Sequence, residues 1–267
     1  METLILNKEN LRRMVQETLL AYNEKLLPFF EEYGERYRKV YLHNRDYTDE
    51  NLRENPYLAL EFFLRHSFYR GRRQELSDRY FLEVSKVLFE LEDKAKPIEE
   101  LKNRIRSLKI PKHDKEHIIS LTEYMRKFPE NYNIYKHIKG LIEESIEKAY
   151  RELRWIKQVG DKIASFILRD IILVAGLELK IENPESIKYI FPQDTHVEKA
   201  LKNYFPTEKF YIYLFQYLNK NNKNNTLTVA KIASGMWYAH YHAFDILMEV
   251  ALYSHLQPNF SLNLSST

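Results

Sequence analysis

Two short stretches of this chain hold residue types and spacings able to do chemistry. The first is Ile156-Lys157-Gln158-Val159-Gly160-Asp161-Lys162-Ile163-Ala164. It reads as two helices joined by a short turn over 158–160, with Gly160 at the entrance to the second helix. A helix N-terminus presents unpaired backbone N–H groups and the positive end of the helix dipole, and both suit an anion. Gly160 removes the side chain that would hold a phosphate away. Ala164, one turn later, lets the two helices cross closely. Lys157, Gln158, Val159 and Gly160 are therefore candidates to grip a phosphate backbone, a contact that positions nucleic acid without reading its sequence. The same residues also fit a plain helical hairpin in which the glycine is an ordinary cap.

The second stretch is Phe191-Pro192-Gln193-Asp194-Thr195-His196-Val197-Glu198. Thr195 with Glu198 three residues on has the spacing of a capping box, which predicts Thr195 as the cap and leaves the Asp194 carboxylate free before a helix N-terminus. The spacing equally admits Asp194 itself as the N-cap. His196 reads as a helix-start histidine or as a pocket residue, and Gln193 places an amide beside it.

The elements around these stretches are helical throughout. Leu11, Met14, Val15, Thr18, Leu19 and Tyr22 share one apolar face. Helix then continues through 24–41, with interruptions expected near Leu27-Pro28 and at Gly34. Asn44–Asn55 reads as a loop, and Pro56 opens an apolar helix that ends before Arg70-Gly71-Arg72-Arg73. Further helices are expected over 75–94, 97–109 and 111–128, then over 133–157 with a break at Gly140. Asp161–Val174 forms the next helix, stopped by Gly176. A linker over 182–191 holds one turn, and another helix starts at Asp194-Thr195 and ends by Pro206. After an Asn/Lys loop over 219–225, one long helix is expected from Thr228 to Leu256, followed by a disordered tail over 261–267. No period-2 strand pattern and no internal repeat is present. The expected fold is all-α, a single unit of two interwoven helical lobes with the hairpin spanning 146–175.

Composition narrows the function classes. The 267 residues include 41 Lys+Arg and 38 Asp+Glu, a net charge of +3, so any nucleic-acid footprint must be local. Candidate basic clusters are Arg70, Arg72 and Arg73; Arg104, Arg106 and Lys109; and Lys220 with Lys223, each of which also fits an ordinary solvated face. The chain has no cysteine, which excludes disulfides, thiol catalysis and a Cys-ligated iron–sulfur cluster. Its 20 Tyr and 15 Phe suit helix contacts or a binding surface. The longest apolar run, Ile171–Leu177, falls far short of the ~20 residues of a membrane span. No secretory signal pattern is visible, so a soluble, cytoplasmic protein is expected.

Together the two stretches resemble the helix–hairpin–helix DNA glycosylase superfamily. Its signature is a hairpin of the type Val-Gly-x-Lys-x-Ala followed by a loop carrying Asp-Thr-His-Val. Val159-Gly160-Asp161-Lys162-Ile163-Ala164 and Asp194-Thr195-His196-Val197 match it in order. The resemblance is clear over Arg151–Leu201 and faint over Pro56–Phe81 and the last helix. It implies a base-excision repair glycosylase with strand-nicking lyase activity, in which Lys162 attacks the sugar to form a Schiff base and Asp194 assists. It further implies double-stranded DNA with a damaged base as partner, a monomeric, nucleoid-associated prokaryotic protein, and no cofactor beyond a monovalent cation on the hairpin carbonyls.

Two departures mark this chain. Gln158 stands where the usual hairpin has a first glycine, and 31 residues, 163–193, separate the lysine from the aspartate. The long spacer and the absence of cysteine are similar to the archaeal 8-oxoguanine glycosylases that lack an iron–sulfur cluster. Trp237 falls where that branch places a pocket aromatic, with packing against Tyr241 as the alternative. Ala233 stands where an acidic residue is expected, and residues 72–81 offer Tyr80 and Phe81 in place of a stacking tryptophan. A lysine attacks only as the neutral amine, a form favoured by burial and by the positive end of its own helix. A carboxylate beside the sugar stabilises the cationic character that builds as the glycosidic bond weakens. The alternatives are a glycosylase for alkylated bases without lyase activity, against which Lys162 argues, and a non-catalytic DNA-binding protein, against which Asp194 argues.

Overall fold

The computed structural model describes residues 25–68, 74–129, 132–204 and 210–243, together with Ile246. The apolar face over 11–22, the arginines of 70–73, the end of the last helix and the tail over 261–267 lie outside the described residues. The fold is all-α. Among the described residues no strand forms, and β pairing is limited to one bridge between Lys180 and Asn225.

Helix α1 covers 25–37 and widens into a π-helical turn over Arg38–Leu42. There follow α2 (Asp49–Glu54), α3 (Pro56–Phe68), α4 (Gln74–Asp93), α5 (Leu101–Ser107), α6 (Lys112–Met125) and α7 (Ile134–Glu144). The chain continues through α8 (Ile146–Trp155), α9 (Asp161–Ala175), α10 (Ile187–Ile190), α11 (Thr195–Tyr204), α12 (Phe210–Lys220) and α13 (Thr226–Tyr241).

Helix α9 is the centre of the molecule. Ile163, Ala164, Ile167, Leu168, Ile171, Ile172 and Leu173 are all buried, so beyond its first turn the helix is covered on every side, with Ser165, Arg169 and Asp170 its buried polar residues. Such a helix is stable only when surrounded, and α3, α7, α8, α10 and α13 pack against it. Gly176, at φ 63°, ends it in the left-handed conformation a glycine adopts without strain. The chain beyond is tied to the start of α13: the Thr226 N–H donates to the Leu179 carbonyl (2.9 Å) and the Leu179 N–H to Thr226 Oγ1 (3.1 Å). This anchor fixes the course of the long spacer between Lys162 and Asp194.

Several local expectations are corrected. Asn44–Asn55 is not all loop, because Thr48 Oγ1 accepts from the Asn51 N–H and starts α2. Gly140 does not break its helix; Ser145 does, with an extended backbone and a side chain that caps α8 through the Lys148 N–H. Helix α12, with Phe210, Leu214, Tyr217 and Leu218 turned inward, fills a region the sequence reading left unassigned.

Nor is α1 interrupted at Pro28 or Gly34. Gly34 serves a different purpose, in company with Gly235 of α13. A Cβ built on Gly34 would lie 2.2 Å from the Lys231 carbonyl oxygen, and one on Gly235 would lie 1.7 Å from that of Phe30. The two backbones touch where α1 crosses α13, and the flanks of the crossing are tied by Lys231–Glu35 (2.5 Å) and Lys223–Glu31 (2.8 Å). Gly235→Ala is therefore expected to destabilise the protein by about 1–3 kcal/mol or more through forced separation of the helices. Gly140→Ala, where a Cβ meets nothing within 4 Å, is expected to stabilise by about 0.5–1 kcal/mol. Urea-unfolding midpoints separate the two, and a neutral Gly235→Ala would remove the close crossing from the account.

Candidate active site

The turn between α8 and α9 places its backbone in an unexpected way. Val159 is buried and donates its N–H to the Ile156 carbonyl (3.0 Å), anchoring the turn in the core. Gln158 has φ 75°, a left-handed backbone at the position where glycine was expected, so the hairpin geometry survives without it. Gly160, by contrast, has an ordinary extended backbone (φ −82°, ψ 173°), and a Cβ there would meet nothing within 4 Å. Neither backbone strain nor internal packing explains that glycine.

The hairpin is stapled from below. Arg154 donates to the Val159 carbonyl and pairs through Nε with Asp161 Oδ1 (2.7 Å), which also accepts from Tyr150 Oη (2.6 Å). This bears on the monovalent cation implied by the resemblance. The Val159 carbonyl accepts from the Arg154 guanidinium, so an ion at that carbonyl would share it with a cationic side chain.

An open cleft of about 790 Å³ borders the hairpin, lined by Gln158, Gly160 and Lys162 together with His66, Phe191, Gln193 and Glu198 among others. Lys162 lies in the first turn of α9 and is exposed, not buried as expected. Its ammonium stands 5.7 Å from the centre of the Phe166 ring, and Arg169 stands 4.7 Å from the same ring. Lys157 is exposed on the hairpin. Gln193 donates its amide N–H to Tyr211 Oη (2.7 Å), which orients it at the cleft edge.

Asp194 is buried, at 6% exposure, and it is the N-cap of α11. Its Oδ1 accepts from the N–H groups of His196 (3.0 Å) and Val197 (2.8 Å). The expectation that Thr195 caps is corrected: Thr195 is the first helical residue and is exposed. With Asp194 as the cap, the third helical position is Val197, so no capping box forms. Gln193 and Glu198, on either side of Asp194, line the cleft. His196 lies within electrostatic reach of both Asp194 and Lys162. Burial pushes its imidazole below the usual range, Asp194 opposes that shift, and His240 and Lys162 add to it.

His196 and Trp237 stand outside the cleft, in an aromatic cluster. His196 Nδ1 lies 3.0 Å from His240 Nδ1. Trp237 stacks on Tyr241 (centres 5.0 Å apart, 6° between planes) and meets Tyr37 and Tyr41 edge-on at 5.8 and 5.5 Å. These contacts include the packing against Tyr241 that was its alternative reading.

Beneath the cleft lies a network that sequence reasoning missed. Arg169 and Asp170, each 1% exposed, sit side by side in the middle of α9. Arg169 Nε donates to Asp170 Oδ1 (2.8 Å) and its Nη2 to Tyr37 Oη (2.6 Å), while Tyr37 Oη donates to Asp170 Oδ2 (2.8 Å). His66 Nε2 lies 2.9 Å from the same Oδ2 and its Nδ1 lies 2.9 Å from the Phe62 carbonyl. Arg169 Nη1 is buried with no hydrogen-bond partner among the described residues. The available signal was two adjacent charges inside an otherwise apolar helix. Among the described residues there is no cluster of three or more His, Asp or Glu arranged for a metal, and no helix is long and apolar enough to cross a membrane.

Comparison with protein families, with curated proteins and with solved structures finds no match to this chain.

Burial pushes the Asp170 carboxyl up, but Arg169, His66 and Arg65 together overcome that and hold it well below the usual carboxylate range. A depressed native pKa adds stability that is fully present above the unfolded value of about 3.9 and is lost as pH falls toward the folded value. Asp170→Asn lacks this contribution and leaves Arg169 buried beside a neutral amide. It is expected to cost about 3–5 kcal/mol at pH 7, with the gap to wild type narrowing below about pH 4. Urea unfolding at pH 7, 5 and 3 checks this, and a gap that stays constant with pH contradicts it.

Proposed function

We propose that the protein is a base-excision DNA glycosylase with lyase activity, built as two helical lobes around a helix–hairpin–helix motif formed by α8 and α9. The observation that carries the reading is the glycine asymmetry of the hairpin: Gly160 is required by nothing inside the chain, yet it stands at the N-terminus of a 15-residue helix whose first turn presents Lys162 to an open cleft. A phosphate approaching those N–H groups accounts for the missing side chain. The segment carrying Asp194 borders the same cleft.

In this mechanism the damaged nucleotide leaves the base stack, at a cost of a few kcal/mol. The neutral Lys162 amine attacks the anomeric carbon, and the electrons of the glycosidic bond leave with the base. Asp194 stabilises the cationic sugar electrostatically, with one oxygen committed to the α11 cap. Loss of the amine proton and opening of the sugar give a Schiff base, and removal of a C2′ proton then expels the 3′ phosphate. Because Lys162 is exposed in the free protein, the duplex itself supplies the desolvation of the amine.

The most plausible substrate class is 8-oxoguanine, on the spacer length and lack of cysteine given above. The tethered Gln193 amide offers an acceptor for the hydrogen that distinguishes 8-oxoguanine from guanine at N7. One observation favours a second reading, a DNA-binding module without catalysis: Asp194 has a sufficient structural task in capping α11.

Incubation with lesion-bearing duplexes and borohydride decides between them. Lys162→Gln is expected to abolish covalent trapping and nicking while DNA affinity stays nearly intact, since phosphate contacts elsewhere dominate binding. Asp194→Asn keeps an oxygen able to cap, so the fold should persist while base release slows on the order of 10²-fold or more. No trapping with the wild-type protein on any lesion would remove the lyase chemistry, and no base release on any lesion either would leave only the binding module. On a panel of 8-oxoguanine, uracil, an alkylated purine and an oxidised pyrimidine, faster release of 8-oxoguanine is expected. Preference for another base would overturn the substrate and leave the Lys162 chemistry standing.

A further inference from the structure

Trp155 is the last residue of α8 and exposes 83% of its surface, far more than the next large apolar side chains among the described residues, Leu82 at 54% and Phe89 at 50%. The fold does not require an indole here. Helix α8 buries Ala149 and Leu153, and the turn that follows is anchored by Ile156 and Val159, all of them on the side away from Trp155. Exposed cations lie nearby: Lys157 two residues on, and Arg151 and Lys148 on the outer face of α8 one and two turns back. Among the described residues those two pair with the exposed Glu144 and Glu147, contacts weak enough for phosphates to replace.

We propose that Trp155 belongs to the nucleic-acid surface, its indole packing against sugars of the duplex backbone beside the phosphate grip of the hairpin. The inference rests on the reading of this chain as a DNA-binding glycosylase and extends the interface from the hairpin onto α8. Two features select DNA over a protein partner. The tryptophan is continuous with the hairpin proposed to face the phosphates, and its neighbours on this face are charged, Lys157 and the Arg151–Glu147 and Lys148–Glu144 pairs, not the apolar ring that surrounds a buried protein hot spot. Being remote from the sugar chemistry, the contact adds equally to damaged and undamaged duplex and leaves the chemical step alone.

The test uses the full chain and undamaged duplex. The chain has two tryptophans, so the difference between wild-type and Trp155→Phe emission isolates the exposed indole. Addition of duplex should quench or shift that difference signal. Trp155→Ala should weaken affinity for undamaged and lesion duplex by a common factor of about tenfold, with Trp155→Phe recovering most of it and single-turnover excision at saturating DNA unchanged. Equal affinities for wild type and Trp155→Ala, with unchanged emission while DNA binds, overturn the proposal and leave the glycosylase reading intact. Emission that shifts with protein concentration in the absence of DNA assigns the indole to a second copy of the chain and also overturns it. If neither protein binds DNA, the functional reading falls and takes this proposal with it.

Discussion

The ion pair of Arg169 and Asp170 constrains everything around it. Two charges in the middle of the central helix are costly to bury unless every polar atom finds a partner. Their partners come from distant parts of the chain: Tyr37 at the junction of α1 with its π-helical turn, and His66 near the end of α3. The pair therefore fixes how α1 and α3 meet α9. Burial and hydrogen bonding to Asp170 also push the Tyr37 phenol far above its ordinary value, so it remains a neutral donor. The one nitrogen left over, Arg169 Nη1, is the unsatisfied remainder of this arrangement.

From that centre the site is positioned by termini. The N-terminus of α9 carries Lys162, and the N-terminus of α11 is capped by Asp194. A helix end is located as firmly as the helix behind it, and both helices pack on α13. Helix α13 is in turn fixed against α1 by backbone contact at Gly34 and Gly235. The linker after Gly176 is bonded to the first turn of α13, so the spacer between lysine and aspartate contributes little freedom. Rigid elements thus carry both residues on which the proposed chemistry depends.

How much of this was legible depended on whether a feature is written locally. The α3, α4 and α9 helices follow from apolar periodicity and from Pro56 and Gly176 at their ends. Helix α2 was invisible because Asp49–Glu54 contains a single apolar residue, Leu52; its support comes from outside, where Tyr135 Oη (2.7 Å) and Lys139 Nζ (2.9 Å) bond Asp49. Gly34 reads as a helix break on propensity alone, and only the opposing backbone of α13 shows why the helix keeps it. At Asp194-Thr195 two good caps compete for one helix end, and the spacing of Glu198 favoured the wrong one. The order of the site along the chain, hairpin first and acidic segment second, was legible. The network beneath it was not, because its members are separated by more than one hundred residues.

The hairpin offers the last step of synthesis, because its two unusual residues stand in opposite relations to the fold. Gln158 occupies a left-handed conformation that glycine would adopt more easily, so the chain tolerates strain there to keep a side chain at the cleft. Gly160 occupies a conformation open to every residue, with free space around it, so the chain forgoes a side chain where none would clash. Internal stability would favour the reverse arrangement. Glycine at the strained position and a larger residue at the relaxed one would lower the backbone cost at both. The arrangement follows instead if something outside the chain approaches closely at 160 and is met by a side chain at 158. Lys162, exposed one turn beyond, faces the same approach. The amine is not buried by the protein's own packing, so in the proposed reaction its desolvation falls to the duplex that would cover the cleft.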